Sequence, residues 1–128
     1  MKDSATARAA VDSLEKLRDK LKSAKEEYWA GQVEIQRQEV AAWLDFAQGA
    51  NEKAVEGLRS AASAEDETEK NVVTPGPLAP ARELLGEMLL EMGRPAEAFT
   101  EFDSTLTREP NRFWSLYGAA EAAKKAQR

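Results

Sequence analysis

Carboxylates are the side chains whose number and spacing in this chain most readily suggest chemistry. Glu83, Glu87 and Glu91 recur at every fourth position, which would range three acids along one side of a helix. Glu65, Asp66, Glu67 and Glu69 crowd together a little earlier. Oxygen clusters of this kind can ligate Mg²⁺ or Ca²⁺, and a carboxylate pair can share acid–base work. Their surroundings support neither use. The chain has no histidine and no cysteine, which removes the usual general base near neutral pH, thiolate nucleophiles and Cys/His zinc sites. No Asp-x-Asp-x-Asp-Gly loop accompanies the acids, and no glycine-rich phosphate loop occurs. A solvated acidic turn explains residues 65 to 69 better than a carboxylate-metal hydrolase does. The expectation is therefore a non-catalytic chain with no metal ligand and no cofactor.

Charge narrows the choice of partner. A formal net charge of −5 disfavours a nucleic-acid backbone, which calls for a clustered basic face. The most basic stretch, Lys16 to Lys25, is interrupted by Asp19 and followed by Glu26 and Glu27, as on a solvated helix face. No apolar run approaches the ~18 residues that would span a bilayer, and the first residues lack the apolar segment of a signal peptide. A cytoplasmic location is the default expectation, replaced by export if the parent gene carries an upstream signal. With 128 residues, 42% of them hydrophobic, the chain is long and apolar enough to bury a core.

The elements that would position the acids are helices. Ala7, Ala10, Leu14, Leu17 and Leu21 recur at spacings of three and four, a stripe along a first helix that reaches about Lys22. Ser23-Ala-Lys-Glu26 fits a capping box for a second helix from about Ala24 to Gln48; the rival is one long coiled-coil helix through Tyr28, Gly31 and Ile35. Gly49 and Asn51 mark the end of that helix and the cap of a third, reaching about Ala64. Residues 65 to 77 read as an inserted loop ending in Val72-Val-Thr-Pro-Gly-Pro77, with Val72 to Pro77 folded back as a rigid connection. Pro80 is tolerated in the first turn of a fourth helix that ends at Gly93, Pro95 opens a fifth, and Glu109-Pro-Asn111 separates that from a sixth.

An internal period ties these helices together. Ala42, Gly49, Ala54 and Leu58 recur 44 residues later as Gly86, Gly93, Ala98 and Phe102. Leu85-Gly86, Ala98-Phe-Thr-Glu-Phe102 and Pro110, with a further start at Trp114-Ser-Leu-Tyr117-Gly118, resemble the tetratricopeptide repeat pattern. Arg82 and Leu89 stand where that pattern has tryptophan and tyrosine. Thr68-Glu-Lys70 and Val73 to Pro77 are similar to a loop in repeat regions of larger bacterial proteins of this kind. The resemblance implies an all-α, right-handed stack of antiparallel helix pairs, about six helices in one domain. Residues 1–22 would be an N-terminal capping helix, 24–64 a degenerate first repeat, 78–110 a second, and 111–128 a capping helix or half-repeat. It also implies close approach at Gly86 against Ala98, with Phe102 filling the space between units.

The leading helix of each pair in such a stack lines the concave side. That places Gln36, Glu39 and Trp43, with Phe46, beside Glu83 and Glu87 as a groove with acidic rungs and an aromatic floor. A basic or amphipathic protein segment would suit it. The same residues also fit a solvated face with two core aromatics. Tyr28, Trp29 and Trp114 are expected in packing. Phe113 beside Trp114 leaves an apolar end that favours a weak homodimer, so a structural self-associating repeat protein is the second functional expectation.

Overall fold

A computed structural model describes residues 4–67 and 80–127. Six α-helices make up the fold: α1 (Ser4–Ser23), α2 (Glu27–Ala47), α3 (Asn51–Glu67), α4 (Ala81–Glu91), α5 (Pro95–Arg108) and α6 (Phe113–Ala126). No strand occurs among the described residues. Consecutive helices pack in pairs, α1 on α2, α2 on α3, α4 on α5 and α5 on α6. The chain divides into two compact units, Met1–Thr68 and Glu69–Arg128. The segment Val72 to Pro77 and its expected fold-back lie outside the described residues.

Three of the connections are the same device. At Gly49 and Gly93 the backbone turns left-handed (φ 85° and 78°). Ala50 N–H then reaches back to Asp45 O, and Arg94 N–H to Leu89 O, each at 2.9 Å. These are Schellman closures, which satisfy carbonyls that the helix end leaves without partners. The α1–α2 turn closes identically through Glu26 N–H to Leu21 O at 2.9 Å, but its left-handed residue is Lys25 at φ 63°. Ser23 is thus the last residue of α1, and the expected capping box does not form: α2 starts at Glu27 with no side-chain cap on Glu26. The left-handed turn also breaks the long coiled-coil alternative. At the other end of this unit α3 runs three residues past Ala64 to Glu67, because polar Glu and Asp are compatible with a helix once it has been nucleated.

In the first unit α2 is the middle helix, with α1 and α3 against it; α1 and α3 do not meet among the described residues. Ala30, Ile35, Ala42 and Leu44 of α2 and Ala54, Val55, Leu58, Ala61 and Ala62 of α3 are its buried apolar residues. No residue of α1 is fully buried, and Leu17 of the expected stripe is exposed.

In the second unit all three helices touch. The side chain that joins them is Phe102 of α5, which is 0% exposed. A Cβ built on Gly86 of α4 would stand 2.8 Å from Phe102 Cζ, and one on Gly118 of α6 would meet the same ring more closely still. The tightest approach of Gly86 is therefore to the Phe102 ring, which the repeat pattern places between units. Ala98 is itself fully buried. Arg82, in the pattern's tryptophan position, donates from Nη1 to Glu101 at 2.9 Å, an ion pair between α4 and α5 in place of an aromatic contact.

Candidate functional site

The five groove candidates fall into two groups, Gln36, Glu39 and Trp43 on α2 of the first unit and Glu83 and Glu87 on α4 of the second. Gln36 is exposed, while Glu39 and Trp43 are half-buried. The Trp43 ring meets Phe46 edge-on, centroids 5.6 Å apart, so the two aromatics support each other.

Glu39 differs sharply from another acid on the same helix. Glu34 accepts from Arg37 at 2.8 and 2.6 Å, from Arg18 of α1 at 2.6 Å and from Gln38 at 3.2 Å. Hydrogen bonds from Arg37 first, and from Arg18 and Gln38 as well, outweigh its burial and hold its carboxyl at about 2. Among the described residues no hydrogen bond or ion pair reaches the Glu39 carboxyl. Burial, reinforced by the charge of Glu65 on α3, pushes it up to about 8.

Glu83 lies 44 residues beyond Glu39, at the interval that relates Ala42 to Gly86 and Leu58 to Phe102. Its environment is the opposite. It is 3% exposed, so it is not a rung on an open acidic face. Arg112 donates to both of its oxygens, at 2.7 and 3.1 Å, and the Ser115 hydroxyl donates to Oε2. Sequence reading missed this because Ser115 lies on α6 and Arg112 at its N-cap, two helices further along the chain; their spacing of three was the available signal. Glu87 is exposed as a residue, yet its carboxyl is raised by partial cover and by the charges of Glu83 and Glu91, with Arg112 pulling the other way.

The aromatic expectations are also revised. Trp29 stands edge-on to Tyr28 but is 41% exposed, and Trp114 is 60% exposed. Phe113, Leu116 and Tyr117 are exposed as well. Arg112, Ser115 and Gly118 take the buried side of α6, which turns these residues outward.

Among the described residues no group of three or more acids could hold a metal ion, and no helix is long and apolar enough to cross a membrane. No family model, curated protein or solved structure matches the chain.

Proposed function

We propose that the chain is a tetratricopeptide-like, non-catalytic module that holds a basic or amphipathic segment of another polypeptide. On this reading Glu39, flanked by Gln36 and Trp43, receives the segment's cation. The repeat reading is supported by the matching Schellman turns at Gly49 and Gly93 and by the burial of Ala42, Ala54 and Leu58 alongside Gly86, Ala98 and Phe102. The observation that carries the functional reading is the contrast between Glu39 and Glu83. The second acid holds a guanidinium inside its own unit, and the first, at the equivalent place, holds none among the described residues. A lysine or arginine from a partner would supply to Glu39 what Arg112 supplies to Glu83, with Trp43 covering the aliphatic stem. In the second unit Glu87 is an exposed acid, whereas the Glu83 carboxylate is already used.

Binding of a cation would drive the proton off Glu39, so affinity should rise with pH toward about 8 and fall with salt. The test replaces Trp29 and Trp114 by phenylalanine, leaving Trp43 as the reporter, and titrates matched Lys-rich and Glu-rich amphipathic peptides at two salt concentrations. The Lys-rich peptide should bind better, and Glu39→Gln should remove its pH dependence. Preference for the Glu-rich peptide, or an unchanged response in Glu39→Gln, would remove this site.

A further inference from the structure

A different surface, on α6, points to a second partner. Phe113, Trp114, Leu116 and Tyr117 are 64, 60, 50 and 55% exposed. Phe113 and Tyr117 stack with centroids 6.4 Å apart, and Trp114 meets both rings edge-on. Together they expose on the order of 450 Å² of largely apolar surface, as much as the largest patch on a typical monomer.

The internal repeat shows what sort of element such a face receives. Gly86 and Gly118 both close on Phe102, which sets α4 and α6 in register 32 residues apart. In that register Ala81, Leu85 and Met88 of α4 correspond to Phe113, Tyr117 and Ala120 of α6. The first three are buried in a unit where α5 lies on α4, and the second three are exposed. The α6 face is therefore a face for a helix.

The pattern along α6 selects the helix. Phe113, Tyr117, Ala120 and Lys124 follow one another at spacings of four, three and four, so they form a single exposed stripe. Its first half is bulky and its second half is small or basic. A twofold axis between Tyr117 and Ala120 would set Phe113 against Lys124 of a second copy, Tyr117 against Ala120 and Trp114 against Ala123. Each ring then meets an alanine or a lysine stem, with ammonium groups over aromatic faces. A parallel arrangement would oppose ring to ring and Lys124 to Lys124. Head-to-tail stacking would need a broad apolar face on α1, where Leu17 is the one large apolar side chain exposed and Arg8, Asp12, Lys16, Asp19 and Lys20 are exposed with it. We infer that the exposed face of α6 is a self-complementary docking surface for α6 of a second copy of this chain, antiparallel and twofold symmetric. The area is below that of a standard interface, so the dimer is weak, with a Kd on the order of 10⁻⁴ M.

Sedimentation of the full chain over a range from micromolar to millimolar should show a monomer passing to a dimer. Trp114→Glu and Tyr117→Glu should each shift that midpoint upward at least tenfold, with helicity unchanged because both side chains are exposed. The absence of native cysteine allows a test of orientation. Mixed under oxidising conditions, Phe113→Cys and Lys124→Cys chains should form the mixed disulfide in preference to either symmetric one. A monomer at every concentration, a dimer indifferent to both glutamate variants, or a preference for symmetric disulfides would overturn the proposal. Titration with a peptide of the α5 sequence, residues 95–108, supplies the other occupant. If the monomer takes up this peptide on α6 while no dimer forms at any concentration, the face belongs to a foreign helix and the second-copy assignment fails.

Discussion

The two units are each three helices long and yet are held together differently. In the second, one ring touches two other helices, and a bidentate ion pair joins α4 to the start of α6. In the first, among the described residues, α2 mediates every contact between helices, α1 buries no residue fully, and Glu39, 44 residues before Glu83, has no cation. The comparison teaches that small residues and paired charges set how many helices a hairpin can recruit. Gly86 and Gly118 leave room for a ring between neighbours. In the first unit the nearest close approach is Gly57, where a Cβ would come 3.3 Å from that of Ala42, a contact between two helices only.

The largest expected effect breaks this contrast at its centre. Phe102→Ala should cost about 3–5 kcal/mol and lower the cooperativity of the second unit, since it removes a fully buried side chain shared by three helices. Leu58→Ala, at the equivalent place in the first unit, should cost about 2–4 kcal/mol and leave the Trp114 fluorescence transition unchanged. Denaturant melts followed by circular dichroism and by single-tryptophan variants separate the two. If Phe102→Ala unfolds no more easily than Leu58→Ala, the ring is not the organising contact.

Glu83→Ala should come next, at about 3 kcal/mol, because it removes the bidentate carboxylate from the mostly buried Arg112 side chain and the acceptor of the buried Ser115 hydroxyl. Glu39→Gln should act in the opposite direction and stabilise the fold at neutral pH by about 1 kcal/mol. The sign follows from linkage. The folded Glu39 carboxyl is raised from 4.5 to about 8, so its contribution is fully present below 4.5 and is lost as pH rises toward 8. The slope is at most about 1 kcal/mol per pH unit, reduced by the group's partial exposure. Glu34, lowered to about 2, contributes stability that is lost as pH falls from 4.5 through that value. Melting temperatures of the parent and Glu39→Gln should diverge as pH rises from about 4.5 to about 8 and run parallel above that. Parallel curves throughout would place Glu39 in ordinary solvent.

The smallest effect is at a turn. Lys25→Gly should stabilise the α1–α2 connection by about 1 kcal/mol, and Gly93→Ala should destabilise its counterpart by a similar amount, because only glycine takes a left-handed φ without a Cβ penalty. Hydrogen exchange at Glu26 N–H, which closes the first turn, reads the gain directly.

These contrasts also mark what the sequence could reveal. Helix count, the Gly49 and Gly93 ends and Pro95 at a helix start are local properties, encoded by backbone preferences within a few residues, and all were legible. The cap at Ser23 was misread because a Schellman turn at a lysine competes with a capping box over the same four residues, and sequence offers no glycine to announce it. Glu83 looked like one more rung beside Glu87 and Glu91 because fourfold spacing identifies a shared stripe but not what covers it. Only tertiary structure brings Arg112 and Ser115 to that carboxylate. Trp29 and Trp114 were expected in packing, although neither sits at a position the helices enclose. Glu39 and Trp43 were legible as neighbours on a face, but the missing counter-ion was visible only against its satisfied counterpart.

The ring between two glycines also limits how the second unit can move. Phe102 sits in notches on α4 and α6 where the chain has no Cβ, and the buried Glu83, Leu89, Ser115 and Ala122 stand one turn to either side of those notches. For either helix to slide along α5, the ring would have to climb over one of those flanking side chains, a discrete barrier with no gradual path across it. Tilting about the ring meets no such obstacle. Soft motion within this unit should therefore be a rocking of α4 and α6 around a fixed pivot, with helix sliding the mode that the sequence has locked.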